Sequence, residues 1–371
     1  KSAETDSEPA KGEEKPKTWE QKLDDAAGKY LIAPMVAVLF FDFGSKQWLG
    51  TSIPFVVVWL MLGAVFLTVR MGFINIRGFW HAIRVTKGDY DDPKDTGEVT
   101  HFQALTSALS ATVGLGNIAG VAIAVGQGGP GAIFWMILAG FFGMTSKFVE
   151  CSLAQMYRKV DVDGVVSGGP MRYLHAGLKE MGIGPIGAVL AVLFAVLCVG
   201  GSVGGGCAFQ VVQAKGVLVD QIPALEGNGW IFGIVMVVLV GIVIIGGIRR
   251  IAAAAEKIVP SMCVMYVITA IIILAINFRE IPWAFGEIFR QAFTWKSAYG
   301  GLLGVMVVGI KRAAFSNEAG IGSAAIAHSA AKTEQPVREG TVALLGPFID
   351  TVVICTMTGL VIVITRAYDT V

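Results

Sequence analysis

The sequence predicts an all-α protein that crosses a membrane several times, and three observations support this class. Hydrophobic residues make up 54% of the 371 residues and charged residues only 15%, whereas about 25% of residues are charged in a typical soluble domain. Most of the charges lie between the apolar stretches rather than within them. An apolar stretch of about 18 or more residues with few charges is typical of a transmembrane helix.

Eight such stretches, some of them interrupted by glycine, are predicted to span the membrane. They are centred near residues 53–69, 104–125, 132–156, 186–216, 230–248, 258–277, 301–329 and 341–365. Before them, residues 1–29 are rich in Lys, Glu, Asp, Pro and Ser, which predicts a disordered polar tail. Residues 30–52 contain an apolar stretch too short to cross a bilayer, so we expect an interfacial segment there.

The composition also excludes several classes of function. The net charge is +1 and no basic stripe is interleaved with aromatic residues, which argues against a nucleic-acid partner. The five cysteines show no CxxC spacing, so we expect them to be small buried apolar residues. The four histidines are scattered and form no HExxH motif. Neither a metal centre of this kind nor a bound cofactor is predicted.

The distribution of Lys and Arg among the loops predicts the orientation in the membrane. When the loops are assigned alternately to the two sides, one set carries 14 Lys and Arg residues and the other carries 4. The richer set consists of residues 70–103, 157–184, 249–257 and 331–339. Because positive loops stay on the cytoplasmic side, the N-terminal tail is predicted to be extracytoplasmic, on a multi-pass protein of the cell (inner) membrane. Residues 278–299 combine aromatic and charged residues, which predicts an amphipathic helix at the outer interface.

Residues 110–132, SATVGLGNIAGVAIAVGQGGPGA, are apolar yet rich in glycine. A helix interrupted at Gly114 and Gly116 exposes peptide groups, and irregular backbone survives at membrane depth only where it faces protein or a cavity. The N-terminus of a half-helix attracts an anionic group, and the freed carbonyls before it can hold a cation. Thr112 and Asn117 add side-chain oxygens. The alternative is that these glycines only allow close helix packing.

A second stretch, AFSNEAGIGSAAIAHSA at residues 314–330, repeats this pattern. Gly320 and Gly322 align with Gly114 and Gly116 at a shift of 206 residues. Four predicted spans lie between the two stretches, so each would open a five-helix unit and the second unit would be inverted. Paired interrupted helices in inverted repeats indicate the central site of a transporter. Chance similarity between short Gly/Ala strings is the alternative.

At these residues the chain resembles the alanine/glycine:cation symporter family. The resemblance rests on GEVTHFQALTSALSATVGLGNIAGVAIAVGQGGPGAIFWM, KFVECSLAQMYR, GGPMRYL and KRAAFSNEAGIGSAAIAHSAA. It implies a LeuT-type fold with two inverted five-helix repeats and two discontinuous helices, the second and the seventh. One extra helix at 53–69 would come first, followed by the first repeat at 104–277 and the start of the second at 301–371. The C-terminal part of the second repeat is expected to be missing from this sequence.

The resemblance implies a sodium-coupled symporter that imports small neutral amino acids, alanine or glycine, with sodium as the coupling ion. The implied substrate contacts are Thr112, Leu115, Gly116, Phe209, Gln210, Phe315, Ser316, Glu318 and Ile321. The implied sodium ligands are Ser110, Thr112, Val113 and Asn117. Two departures from the family pattern are Ala111, where glycine is usual, and Cys207–Ala208, where Asn–Met is usual.

Other functions and individual roles stay open at this point. A proton-coupled transporter of the same fold would depend on Glu318, which could instead contact substrate or cap the second half-helix. An intramembrane enzyme is disfavoured because Ser323 and His328 are poorly spaced for a nucleophile and base, and a channel because no selectivity filter is visible. Asp350 is predicted to join a buried hydrogen-bond network. Four further charged residues are assigned: Lys147 and Glu150 as a structural pair, and Lys311 and Arg312 as members of gate ion pairs.

Overall fold

The computed structural model describes residues 22, 25–26, 28–222, 225, 228–294 and 301–370. Most of the predicted 1–29 tail and Trp295 of the predicted interfacial helix lie outside these residues. The described chain is predominantly helical, which confirms the all-α class. We label its principal helices α1 Phe55–Arg70, α2 His101–Thr112, α3 Leu115–Gly128, α4 Gly131–Met156, α5 Gly184–Gln221, α6 Gly229–Ile244, α7 Gly247–Ile276, α8 Gly301–Asn317, α9 Ser323–Ser329, which is short but follows the second interruption, and α10 Pro336–Thr365.

Four of these helices, α4, α5, α7 and α10, are long and apolar enough to cross a membrane, and α2 with α3 makes a fifth if the bent pair counts as one span. The pair bends by 40° at its break. Helices α1 and α6 are apolar but only 16 residues long, or about 24 Å at 1.5 Å per residue. The chain is therefore a multi-pass membrane protein, with four or five full-length spans among the described residues rather than the eight expected.

Short elements connect the long helices. Before α1 lie a π-helical turn Gly28–Ile32, the helix Ala33–Leu39 and the helix Ser45–Leu49, which together cover most of the predicted interfacial segment. The remaining short helices are Ile74–Arg77, Phe79–Thr86, Pro170–Glu180, Phe278–Glu280, Ile281–Ala292 and Ala367–Thr370. Two strands, β1 Lys159–Val160 and β2 Val166–Ser167, form an antiparallel hairpin in which Lys159 lies opposite Ser167.

Helix α4 is the central element of the bundle. Of its apolar window 56% is buried, against 11% for α5 and α7, whose exposed Val and Ile side chains suit a lipid environment. Helix α8 packs closely on α4 because Gly309 has no side chain: a Cβ there would lie 2.7 Å from the Cβ of Trp135. Gly140 of α4 accommodates Thr351 of α10 in the same way. Small residues at such crossings are how helices associate in membranes, where apolar burial supplies little driving force.

The four loops that are rich in Lys and Arg meet on one face of the bundle, which we call the loop face. The N–H of Glu98 donates to the carbonyl of Ala330 (2.8 Å), and that of Lys332 donates to the carbonyl of Val99 (2.8 Å). Arg158 reaches this junction from the end of α4 and donates to the carbonyl of Thr333 (2.7 Å). The Glu98 carboxylate also forms an ion pair with Arg249, in the first turn of α7 (3.3 Å). These contacts agree with the alternation of loops inferred from their charge.

The helix Ile281–Ala292 lies within the predicted amphipathic segment. Three of its aromatic or apolar side chains, Trp283, Phe285 and Phe289, are exposed. Its C-terminal end is attached to α4 by a hydrogen bond from the Trp135 indole N–H to the carbonyl of Ala292 (3.1 Å).

The cysteines only partly follow the expectation of burial. Cys151 and Cys355 are buried, Cys198 and Cys263 are half-buried, Cys207 is exposed, and all five are free thiols.

Candidate functional site

The first interruption separates α2 from α3 at Val113 and Gly114. Val113 has φ −76° and ψ 107°, and Gly114 has φ 172°, so neither residue adopts the left-handed conformation. The Asn117 side chain stabilises the break, because its Oδ1 accepts the N–H of Gly114 at 2.7 Å. Gly116 lies inside α3, where the first N–H groups have no acceptor within the helix.

The second interruption separates α8 from α9 over residues 318–322. Glu318, Gly320 and Gly322 have φ values of +53°, +82° and +94°, and left-handed backbone is costly for residues other than glycine. The Glu318 carboxylate accepts a hydrogen bond from the Ser323 hydroxyl at the start of α9. Asn317 supports the other end, because its Oδ1 accepts the N–H of Ala319 at 2.9 Å.

The two interrupted helices contact each other directly beside the first break. A Cβ placed on Gly116 would lie 3.2 Å from the Cα of Ser316, so the absence of a side chain lets α3 approach α8. The Asn117 amide nitrogen lies 3.3 Å from the Ser316 hydroxyl. Residues 199 positions apart therefore share one buried polar cluster.

Asp350 is the centre of this cluster. Its carboxylate is fully buried and accepts hydrogen bonds from Asn117 of α3 (2.7 Å) and Ser316 of α8 (2.8 Å). Thr351 donates to the same carboxylate (2.7 Å) and accepts from Asn317 (3.0 Å). The network that the sequence predicted around Asp350 is present. What the sequence did not predict is that this one side chain joins both interrupted helices, within a π-helical stretch, Phe348–Cys355, of α10.

Several residues implied as substrate contacts lie together next to the first break. A Cβ on Gly114 would lie 3.6 Å from Oε1 of Gln210. The preceding residue, Phe209, packs edge-on against Phe315 with ring centroids 6.0 Å apart. A π-helical turn in α5, Ser202–Ala208, comes just before these two residues.

Other implied site residues occupy different surroundings. Ile321 is exposed. Glu318 is held by Ser323 and interacts electrostatically with Glu150 of α4. Ser110 is exposed, with its hydroxyl donating to the carbonyl of Ser107 (2.6 Å). Thr112 is buried at the last turn of α2.

Lys147 and Glu150 form the expected pair on α4, with Nζ and Oε1 3.5 Å apart. Both side chains are buried, and neither of these two atoms has a hydrogen-bond partner within the described part of the chain. The backbone amide of Gly320 interacts with the Glu150 carboxylate. The pair therefore lies against the second break.

Lys311 and Arg312 lie in the second half of α8 and form no gate ion pair within the described part of the chain. The Lys311 ammonium lies 4.5 Å from the centre of the Phe40 ring. Arg312 donates to the amide oxygen of Gln127 at 3.3 Å. Both cations line a cavity of about 510 Å³, together with Thr51 and other residues of the segment before α1.

Comparison with known proteins identifies the family. The family model described as the sodium:alanine symporter family matches residues 41–371. The chain is 44% identical over 313 residues to the sodium/alanine symporter AgcS of Methanococcus maripaludis, covering 84% of this chain and 68% of that protein.

Two further relatives come from Bacillus subtilis. The probable sodium/glutamine symporter GlnT is 36% identical over 85% of this chain and 63% of its own length. The putative sodium/proton-dependent alanine carrier protein YrbD is 37% identical, with 86% and 63% covered. The chain thus spans about two thirds of the length of these curated relatives. It belongs to the sodium:alanine symporter family, whose members are transporters rather than enzymes.

Proposed function

We propose that this protein is a sodium-coupled symporter that imports small neutral amino acids, alanine or glycine, by alternating access on a LeuT-type fold. The observation that carries the proposal is the meeting of two interrupted helices at one buried carboxylate. Asn117 stands beside the first break and Ser316 beside the second, and both donate to Asp350. Interrupted helices at membrane depth provide the peptide groups that transporters use for substrate and ion.

The amino-acid carboxylate would bind at the start of α3. The N–H groups of Leu115 and Gly116 have no acceptor within the helix, and they lie at its positive end. The space beside them is narrow, because Gly116 lies against Ser316 and Phe209 packs on Phe315. Such a site favours a small side chain. The remaining proposed substrate contacts are Thr112, Gln210, Glu318 and Ile321.

Sodium would bind at the end of α2. The last carbonyls of a helix lack partners within it, and here they belong to Ser110, Thr112 and Val113. Asn117 Oδ1 lies at the same break, where it already accepts the N–H of Gly114. This set consists only of oxygen donors, which suits a hard cation. The proposed ligands are the three carbonyls and Asn117.

The proposed organisation follows the implied repeats. We assign α1 as the extra helix, residues 104–277 as the first repeat and 301–371 as the start of the second. The loop face would be cytoplasmic, because it gathers the loops with the most Lys and Arg. The segment before α1 would then lie on the extracytoplasmic side.

A second candidate is proton coupling on the same architecture. It is favoured by the position of Glu318, an ionisable residue inside the second break that lies near Glu150. Ionisable residues at such positions in transporters commonly carry protons or bind ions.

Uptake of radiolabelled alanine by the protein in proteoliposomes tests the proposal. Replacing external sodium with choline should abolish uptake, since the coupling ion would be absent. A transmembrane pH gradient imposed under choline is the control for proton coupling. Uptake that persists under choline and is lost in Glu318→Gln would overturn sodium coupling in favour of the second candidate.

A further inference from the structure

A buried cluster of two histidines and one glutamate joins both interrupted helices on the loop face, nine positions before Ser110 and seven positions after Ile321. His101 is the first residue of α2, His328 lies in the last turn of α9, and Glu339 lies in the first turns of α10. The two histidines are 2% exposed and Glu339 is 0% exposed.

Each histidine contacts a different oxygen of the same carboxylate. His328 Nδ1 lies 2.5 Å from Glu339 Oε1, and His101 Nδ1 hydrogen-bonds Glu339 Oε2. With Glu339 ionised, both imidazoles must therefore carry their hydrogen on Nδ1 to donate. One carboxylate thus holds the loop-face ends of α2 and α9 against α10.

The remaining nitrogen of His101 is the feature that points to a ligand. His101 Nε2 is buried and has no hydrogen-bond partner among the described residues. The nearby acceptor is Oδ1 of Asp91, 3.9 Å away, on a side chain that is half exposed. A proton that enters from solvent past the half-exposed Asp91 can bind to His101 Nε2, because this basic nitrogen has no hydrogen-bond partner among the described residues and faces the Asp91 carboxylate.

Other titratable and charged groups surround this cluster. Arg338 opposes a positive charge on His101, but its guanidinium is held by Asp95 (3.5 Å) and the carbonyl of Tyr90 (2.9 Å). Gln103, two residues after His101, donates to Glu256 of α7 (2.9 Å). Cys151 of α4 and Arg158, which follows α4, also interact electrostatically with Glu339.

We propose that the His101–Glu339–His328 cluster binds a proton on His101 Nε2 and that this proton strengthens the closure of the loop face. The bound proton converts His101 to an imidazolium between two carboxylates, Glu339 and Asp91. Separating α2 from α9 and α10 would then break a buried charge pair as well as the His101–Glu339 hydrogen bond, which is strongly unfavourable. Closure is therefore favoured at low pH and weakened as pH rises.

Hydrogen–deuterium exchange of the protein in detergent, without sodium or alanine, tests this proposal independently of transport. The reporters are the N–H groups of Glu98 and Lys332, whose bonds cross the closed junction. After correction for intrinsic exchange, their protection should be about tenfold greater at pD 6 than at pD 8, equivalent to about 1.4 kcal/mol of added closure. Amides of α3 serve as the internal reference.

Two variants separate protonation from structure. His101→Asn keeps a donor near the Nδ1 position but cannot titrate, so the dependence on pD should disappear. His175→Asn replaces an exposed histidine of the same face and should behave like the unsubstituted protein. An equal dependence on pD in His101→Asn, or none in the unsubstituted protein, would overturn the proposal.

A third variant covers the case in which His101→Asn does not fold. Asp91→Asn leaves both contacts to Glu339 intact and removes only the outer carboxylate, so the pD dependence should weaken. An undiminished dependence in Asp91→Asn would also contradict the proposal. Because no substrate or sodium is used, a failure of sodium-dependent uptake has no bearing on this outcome.

Discussion

The two interruptions differ in length, in backbone conformation and in what supports them. The first is two residues long, needs no left-handed residue and is capped by a single amide, that of Asn117. The second covers five residues, of which three are left-handed, and one of those three is Glu318. The two breaks are therefore not physical copies of each other, although their sequences align.

This difference indicates that the two breaks have different roles. The first break holds its peptide groups in relaxed geometry, which suits a site that must be formed before the ligand arrives. The second break holds a glutamate in a conformation that costs about 1 kcal/mol or more. It also lies against the buried Lys147–Glu150 pair. Backbone strain and buried charge are therefore concentrated at the second break.

The largest effect is expected at the residue that joins the two breaks. Asp350→Ala would leave the Asn117 amide and the Ser316 hydroxyl without their buried acceptor, and each such loss costs about 1–3 kcal/mol. Sodium-dependent alanine uptake should fall at least about tenfold, the equivalent of 1.4 kcal/mol. Asp350→Asn, which keeps one acceptor oxygen, should fall less.

The matched control for this change is Asp163→Ala, at an exposed turn of the β1–β2 hairpin. It should leave uptake unchanged. Normal uptake by correctly folded Asp350→Ala would contradict the view that one carboxylate couples the two breaks.

An intermediate effect on stability is expected from substitutions that compare the backbone conformation of the two breaks. Gly320→Ala places a side chain at φ +82°, with its Cβ 3.0 Å from Leu60, and should cost about 1–2 kcal/mol of stability. Gly114→Ala places one at φ 172°, where the nearest atom is 3.6 Å away, and should cost less. Thermal unfolding in detergent measures both. Equal losses of stability in the two variants would contradict the conformational difference between the breaks.

The smallest effect should appear at the contact between α3 and α8. Gly116→Ala brings a Cβ within 3.2 Å of the Ser316 backbone, whereas the nearest atom to a Cβ on Gly120 is 3.8 Å away. Mild overpacking of this kind costs about 1 kcal/mol, so we expect a several-fold higher KM for alanine in Gly116→Ala. Gly120→Ala, the same exchange one turn later, should match the unsubstituted protein. The same KM in both variants would show that this contact does not shape the binding site.

Much of the membrane architecture could be predicted from local sequence signals. Apolar length predicted the multi-pass helical class, and glycine with Asn or Glu inside an apolar stretch marked positions where the helices are interrupted. Loop charge predicted which loops share a face, and the contacts of Glu98, Arg158 and Arg249 agree. Three of the eight predicted spans do not coincide with full-length apolar helices among the described residues: α1 and α6 are 16 residues long, and residues 301–329 are divided between α8 and α9.

The partners of individual polar residues could not be predicted in this way. Arg312 was expected in an ion pair, yet it bonds Gln127, 185 positions away. His101 and His328 looked isolated along the chain, yet both reach Glu339. A local sequence pattern shows which side chains share a face of one helix. It does not show which side chains of other helices contact that face.

The sequence by itself determined that the chain is helical, lies in a membrane and breaks two of its helices, because peptide groups in hydrocarbon must be satisfied wherever glycine disrupts a span. Tertiary packing alone decided that Asp350 joins those breaks and that Glu339 contacts both His101 and His328 on the loop face. Both outcomes depend on groups more than 200 positions apart in the chain. Buried polar atoms form hydrogen bonds with the polar groups that helix packing places next to them, and this packing is a property of the whole bundle.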